Sequence, residues 1–339
     1  MDDNTNKNYK DYKSKKYSKV KDYIDELISH NRLALSKTIT LIESTLPNDQ
    51  QLAQKIISGI LPFTGKSIRI GITGTSGVGK STFIEKLGLY LANKNHKIAI
   101  LTIDPSSPIN CGSILADKTR MEEILSHSNV FIRPTPSGNH LGGVAQNTRE
   151  TVLLCEAAGF DVILIETVGV GQSEISTASM VDFFLILVLA NAGDEIQGIK
   201  KGILELVDSI VINKADKNNL EQAQNAKKIY ENAINIISST SNTWSPLVKI
   251  CSSLENTGII EIWEMIIKHN NKMKESGEFE SKRNNQSLAW MRSIIENRII
   301  QNYKDHQKVK NILPKIETQV LEAKISPTNA AKQILDIIY

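Results

Sequence analysis

The sequence predicts an α/β fold: a mostly parallel β-sheet with helices on both faces, preceded by helices and followed by a helical arm. Three observations predict it. Between residues 63 and 270, short runs rich in β-branched residues alternate with longer stretches of helical periodicity. One such run, Ile68 to Thr73, leads directly into a glycine-rich turn that opens a helix. The later runs Asp161–Ile165 and Phe183–Leu189 are almost continuously apolar, as parallel strands buried on both faces must be.

Taken in order, residues 1–20 are polar and Lys-rich and read as a disordered tail. Residues 21–62 read as an N-terminal helical extension of two or three helices, with Ile24, Leu27, Leu33, Leu35, Ile39 and Ile42 at helical spacing. Pro62 and Gly65 punctuate the chain and open the central domain, residues 63–270. Its expected strands are Ile68–Thr73, Lys97–Ile103, Val130–Ile132, Asp161–Ile165, Phe183–Leu189, Ser209–Ile212 and Leu247–Ile250. Helices are expected at Ser81–Asn93, Val144–Ala158, Leu220–Ile237 and Ile259–Asn270. Residues 271–339 form the C-terminal arm: a polar linker over Asn271–Asn285, then helices at Leu288–Val309, Leu313–Ala323 and Ala330–Ile338. Ser326-Pro327 supplies a cap and a first-turn proline for the last.

Bulk composition excludes several classes. A hydrophobic fraction of 40% and a charged fraction of 23% describe an ordinary globular protein with a sizeable core. The net charge of +3 is not gathered into a patch, so nucleic acid is not an expected partner. No apolar run is long enough to span a bilayer, so no membrane partner is expected either. Cys111, Cys155 and Cys251 are far apart and form neither a disulfide framework nor a zinc motif. A cytoplasmic protein is expected: residues 1–20 carry no arginine, unlike an Arg-rich mitochondrial transit peptide, although a mitochondrial address stays open.

The chemistry begins at Gly74-Thr75-Ser76-Gly77-Val78-Gly79-Lys80-Ser81, a G-x-x-x-x-G-K-[ST] match between a strand and a helix. Its glycines let backbone N–H groups turn inward around phosphates, and the helix adds its N-terminal dipole. The fold is therefore expected to be of P-loop NTPase type. Gly77, Val78, Gly79, Lys80, Ser81 and Thr82 are the expected phosphate ligands. Lys80 should reach the β- and γ-phosphates and Ser81 should ligate Mg²⁺.

A phosphate cradle does not choose a base. Asn213-Lys214-Ala215-Asp216, at the end of a later strand, does. A carboxylate at Asp216 can accept from both the N1–H and the exocyclic amine of guanine, a donor pair that adenine lacks. Lys214 can lay its stem along the base, and Ser252 and Ser253, after the last strand, stand where backbone N–H groups reach the guanine O6. GTP is thus the expected substrate and GDP the product.

The strand Ile163–Ile165 ends in Glu166, where a carboxylate holds Mg²⁺ directly or through water. Gly169 can offer its N–H to the γ-phosphate. Val170 follows it and cannot orient water; Gln172 is the nearest residue that could. Slow hydrolysis follows, with a catalytic contribution expected from a moving loop or a partner. Asp104, at the end of the second strand, lies at the same sheet edge and is a third candidate for Mg²⁺, the alternative being a turn before Pro105.

Together these residues resemble one family: the methylmalonyl-CoA mutase-associated GTPases, chaperones of cobalamin-dependent acyl-CoA mutases that are also described as lysine/arginine/ornithine transport kinases. The resemblance runs from about Leu33 to Gly258. It is carried by Ala34–Ser44, Asp104–Ser107, Asp117–Met121, Arg133-Pro134 and Leu141–Ala145, and most specifically by Glu166–Glu174 and Gly193–Gly202. It implies a homodimer joined through the C-terminal arm, in which GTP hydrolysis gates adenosylcobalamin loading and protection of a mutase. It implies switch segments at Asp104–Arg120, Glu166–Glu174 and Gly193–Lys200. A lysine of the last segment, best matched by Lys200 with Lys201 beside it, would reach the nucleotide when the mutase docks and complete catalysis with Lys80 and Glu166. The chain departs from the family at Ala190-Asn191, where Pro-Gly is usual, at Asn139-His140, and at Gln146-Asn147.

Two rival readings share the P-loop. A nickel-insertion GTPase would need clustered Cys or His ligands, and the six histidines are scattered. A P-loop kinase of a transport system would bind ATP, against which Asn213–Asp216 argues.

Overall fold

The computed structural model describes residues 19–104, 122–136, 141–167, 172–190, 201–216, 218–236 and 243–338. Most of the expected disordered tail, along with Gly169, Val170 and Lys200, lies outside the described residues, as do the side chains of Asp104, Gln172 and Lys201. The chain divides into two compact units, residues 1–283 and 284–339.

Among the described residues, the first unit starts with three helices, α1 (Val20–Ile28), α2 (Arg32–Glu43) and α3 (Pro47–Ile60). Asn31 caps α2 by accepting from the N–H groups of Leu33 and Ala34, and Pro47 starts α3 at a position where no amide donor is needed. The α/β body follows: β1 (Ile68–Gly74), α4 (Lys80–Asn93), β2 (Ile98–Asp104), α5 (Glu122–Leu125), β3 (Val130–Pro136), α6 (Leu141–Ala157), β4 (Val162–Glu166), α7 (Gln172–Ala178), β5 (Phe183–Leu189), α8 (Lys201–Leu204), β6 (Ser209–Asn213), α9 (Leu220–Ile236), β7 (Leu247–Ile250) and α10 (Ile259–Glu275). The seven strands form one sheet in the order β3-β2-β4-β1-β5-β6-β7, and each neighbouring pair is parallel.

Strand periodicity divides the core. Ile98, Ile100, Val162, Leu164, Phe183 and Leu185 join the cluster beneath α4 and α10. Their neighbours Ala99, Leu101, Ile163, Ile165, Phe184 and Ile186 join the cluster beneath α2, α3 and α6. Alternate side chains of a strand point to opposite faces, so near-continuous apolar runs cover both layers. The N-terminal helices thus close one face of the sheet together with α6.

The polar stretch Asn271–Asn285 is helical where a linker was expected. Helix α10 continues to Glu275, Gly277 (φ 77°) turns the chain, and α11 (Glu278–Asp305) begins at once. Few apolar side chains are needed there: Met273 and Phe279 are buried, and Arg283 is bound by charge. In the second unit, α12 (Gln307–Leu321) packs on α13 (Pro327–Ile338) through Val309, Ile316, Ala330 and Ile334. The part of α11 within this unit exposes Leu288, Met291, Ile295, Ile299 and Ile300. No helix among the described residues is long and apolar enough to cross a membrane.

Candidate nucleotide site

The P-loop joins β1 to α4 at the C-terminal edge of the sheet, where β1 lies between β4 and β5. The sheet reverses its winding there, which is where open α/β sheets place ligands. Gly74, Gly77 and Gly79 all have positive φ, so the loop can turn its amides inward. A side chain at Gly79 would place its Cβ 2.7 Å from Asn213 Nδ2. The P-loop is therefore pressed against the Asn213–Asp216 loop, and only glycine fits the contact.

Asn213 binds the two loops together. It is 1% exposed; its Nδ2 donates to the Val78 carbonyl at 2.9 Å. Its Oδ1 accepts from the Ser253 N–H at 3.1 Å and the Ser253 hydroxyl at 2.8 Å. The Cys251 thiol adds a donor at 3.4 Å, and burial pushes this thiol up to about 12, so it stays protonated. Asn213, expected as a direct nucleotide ligand, thus has both polar atoms committed to the protein.

Beyond it, Lys214 adopts φ 59°, and its exposed stem passes 4.0 Å from the Cβ that Gly79 lacks. Asp216 is half-buried, with Oδ1 accepting from the Ser252 hydroxyl. Ser252 is held in turn by an isolated antiparallel bridge to Thr257, and its Oγ accepts from the Glu255 N–H at 3.0 Å. One carboxylate oxygen of Asp216 is fixed from behind. Ser252 and Ser253 are buried at 0% and 3%, which suits hydroxyls that orient neighbours rather than face a ligand.

At the phosphate end, Lys80 is 9% exposed, and its ammonium donates to the carbonyls of Gly74 at 2.7 Å and Thr75 at 3.0 Å. Burial lowers its pKa, while Glu166 and Glu174 act in the opposite sense. Ser81 donates to Glu166 Oε1 at 3.1 Å, which joins the first turn of α4 to the end of β4. The two oxygens form a hard-donor pair beside the P-loop and suit Mg²⁺, which binds few protein ligands and keeps its waters. Thr82 is exposed and Val78 is fully buried. Asp104 ends β2 two residues beyond Thr102, which is in register with Glu166, so its backbone shares this edge. No cluster of three or more His, Cys, Asp or Glu suited to a metal occurs among the described residues.

Three residues here belong to no nucleotide-binding motif legible in the sequence. Thr73, Thr167 and Glu174 form a buried chain directly behind the P-loop: Thr167 Oγ1 donates to Thr73 Oγ1 at 2.8 Å, and Thr73 Oγ1 donates to Glu174 Oε1 at 3.2 Å. Glu174 stood inside the quoted Glu166–Glu174 block, but nothing in its spacing said that the carboxylate turns inward.

Residues 35–308 match the family described as methylmalonyl Co-A mutase-associated GTPase MeaB. The chain is 45% identical over 307 residues to the probable GTPase Rv1496 of Mycobacterium tuberculosis, covering 91% of each. It is 39% identical over 319 residues to the mitochondrial methylmalonic aciduria type A homolog of Mus musculus, covering 91% of this chain and 77% of the other. Among solved structures it is similar to an LAO/AO transport system kinase, with a TM-score of 0.77, 36% identity and coverage of 94% and 97%.

Proposed function

The chain belongs to the MeaB family of methylmalonyl-CoA mutase-associated GTPases, and we propose that it works as a guanine-nucleotide switch that gates adenosylcobalamin loading and protection of an acyl-CoA mutase such as methylmalonyl-CoA mutase. The observation that carries the nucleotide reading is the Asn213 bridge. It holds a phosphate loop and a guanine-reading carboxylate in one rigid frame, with Lys80 at one end and Asp216 at the other.

In this reading the amides of Gly77, Val78 and Gly79 cradle the phosphates, Thr82 faces them, and Lys80 leaves its two carbonyls for the β- and γ-phosphate oxygens. Asp216 offers its free edge to guanine N1–H and N2–H, the Lys214 stem lies along the base, and the loop at Ser252 and Ser253 offers backbone N–H groups to O6. Ser81 and Glu166, with Asp104 at the same edge, would hold Mg²⁺, which supplies charge neutralisation on the phosphates when bound. Hydrolysis forms a bond from a water oxygen to the γ-phosphorus and breaks the bond to the β–γ bridging oxygen. GDP leaves, and the water proton passes to phosphate and solvent. Gly169 gives its N–H to the γ-phosphate. Val170 gives nothing to the water, so turnover alone is slow, and Lys200 brings positive charge when the mutase docks.

The protein acts as a homodimer, a reading supported by the apolar side chains that α11 exposes in the second unit. Nucleotide competition tests the site itself. GDP should displace labelled GTP, and ATP in large excess should not. Displacement by ATP at equal concentration would favour a transport kinase and overturn the reading.

A further inference from the structure

We propose that Glu174 is a positioning residue for hydrolysis: through Thr73 and Thr167 it locks the strand that feeds the P-loop to the strand that carries Glu166. The inference rests on the reading of this site as a GTP site.

The geometry is specific. Glu174 lies on α7 and is 5% exposed, while Thr73 and Thr167 are fully buried. No water competes with their hydrogen bonds, so the chain is stiff. Thr73 precedes Gly74, whose carbonyl accepts from Lys80. Thr167 follows Glu166, which accepts from Ser81, and its N–H donates to the Ile72 carbonyl at 3.0 Å. One carboxylate therefore stands behind both halves of the phosphate end. Helix α7 is brought close enough by Gly71, where a Cβ would lie 2.9 Å from Thr177 Cγ2. The Glu174 charge also lies near enough to favour the protonated form of Lys80.

Loss of the carboxylate should let Glu166 shift relative to Lys80 and Ser81. Misplacement on the order of an ångström at a reacting centre lowers rate by about tenfold to a hundredfold and changes ground-state binding far less.

The test is single-turnover GTP hydrolysis with a matched fluorescent-GDP titration, on wild type, Glu174→Ala, Glu174→Gln, Thr73→Val and the double variant Glu174→Ala/Thr73→Val. In folded protein, Glu174→Ala should lower the rate constant at least about tenfold while the GDP Kd stays within about threefold. Glu174→Gln keeps an acceptor for Thr73 and should retain most of the rate. The double variant should be no slower than the worse single variant, because both break one chain. If Glu174→Ala does not fold, the near-isosteric Thr73→Val carries the same expectation. A wild-type rate in Glu174→Ala or Thr73→Val would overturn the proposal. So would a Glu174→Gln variant as slow as Glu174→Ala, or additive losses in the double variant. Failure of the wild type to bind GTP or GDP would instead remove the nucleotide reading, and this proposal with it.

Discussion

The Asn213 side-chain amide donates to the Val78 carbonyl across 2.9 Å, so the residue that opens the Asn213–Asp216 segment is built into the P-loop. Its carbonyl oxygen holds Ser253 at the same time. The P-loop, the Asn213–Asp216 loop and the Ser253 loop are therefore mechanically one unit. Replacing Asn213 by Ala should leave the Val78 and Ser253 groups unpaired and weaken GTP and GDP binding together by about tenfold or more. Parallel titrations with both nucleotides check this, and loss of one affinity alone would speak against a shared frame.

Lys80 is held by two carbonyls and faces the carboxylates of Glu166 and Glu174 from a buried position. Lys80→Ala removes the cation proposed for the β- and γ-phosphates. Nucleotide affinity should fall by roughly a hundredfold or more, with the thermal midpoint of the empty protein little changed.

Asp216 should set the base. An Asp216→Asn amide can donate to a carbonyl at the purine 2-position and still accept from N1–H. It should therefore lose affinity for GTP and gain it for xanthosine triphosphate, by about tenfold or more in each direction. Ser252→Ala, which frees the Asp216 carboxylate from behind, should weaken GTP binding by a smaller factor and leave the preference for guanine intact.

The end of the sheet away from the P-loop carries a buried ion cluster. Arg283 donates to both carboxylate oxygens of Asp182 and to the carbonyls of Gly65 and Ser67. Glu156 accepts from Arg69 and Ser67. Arg283→Ala leaves Asp182 buried without its cation and should cost about 3 kcal/mol in denaturant unfolding.

Burial pushes the Glu156 carboxyl up, but Arg69, Ser67 and the Gly65 N–H more than offset this and hold it below its ordinary value of 4.5. A carboxylate with a depressed folded pKa stabilises above its unfolded value, and that contribution is lost as pH falls through the folded one. Stability should thus drop as pH falls from about 4.5 downward, and Glu156→Gln should flatten that part of the curve. An unchanged acid slope in the variant would remove Glu156 from the account.

Much of this was legible in the sequence where local chemistry is forced. Ile68–Thr73 had to be a strand before a P-loop, and Asp161–Ile165 and Phe183–Leu189 could only be buried on two faces. Other features depended on tertiary context. The strand at Val130 runs on to Pro136 through Pro134, because β3 is a sheet edge where a missing N–H is tolerated. The stretch Asn271–Asn285 looked like a linker because few of its side chains are apolar: Met273 and Phe279 are buried, and polar bonds from Lys282 and Arg283 do much of the holding. At the site, Lys80, Ser81, Glu166, Lys214 and Asp216 followed from motif spacing. Asn213 as a brace and Glu174 behind Thr73 did not, because inward orientation depends on how α7 and the Ser253 loop pack.

The central claim is a guanine-nucleotide switch completed by its partner. Single-turnover hydrolysis of GTP, with and without purified methylmalonyl-CoA mutase, tests it most directly. The account predicts slow hydrolysis alone, acceleration of about tenfold or more with the mutase, and loss of that acceleration in Lys200→Ala with nucleotide binding retained. An identical rate with and without the mutase, or full acceleration in the Lys200→Ala variant, would contradict it.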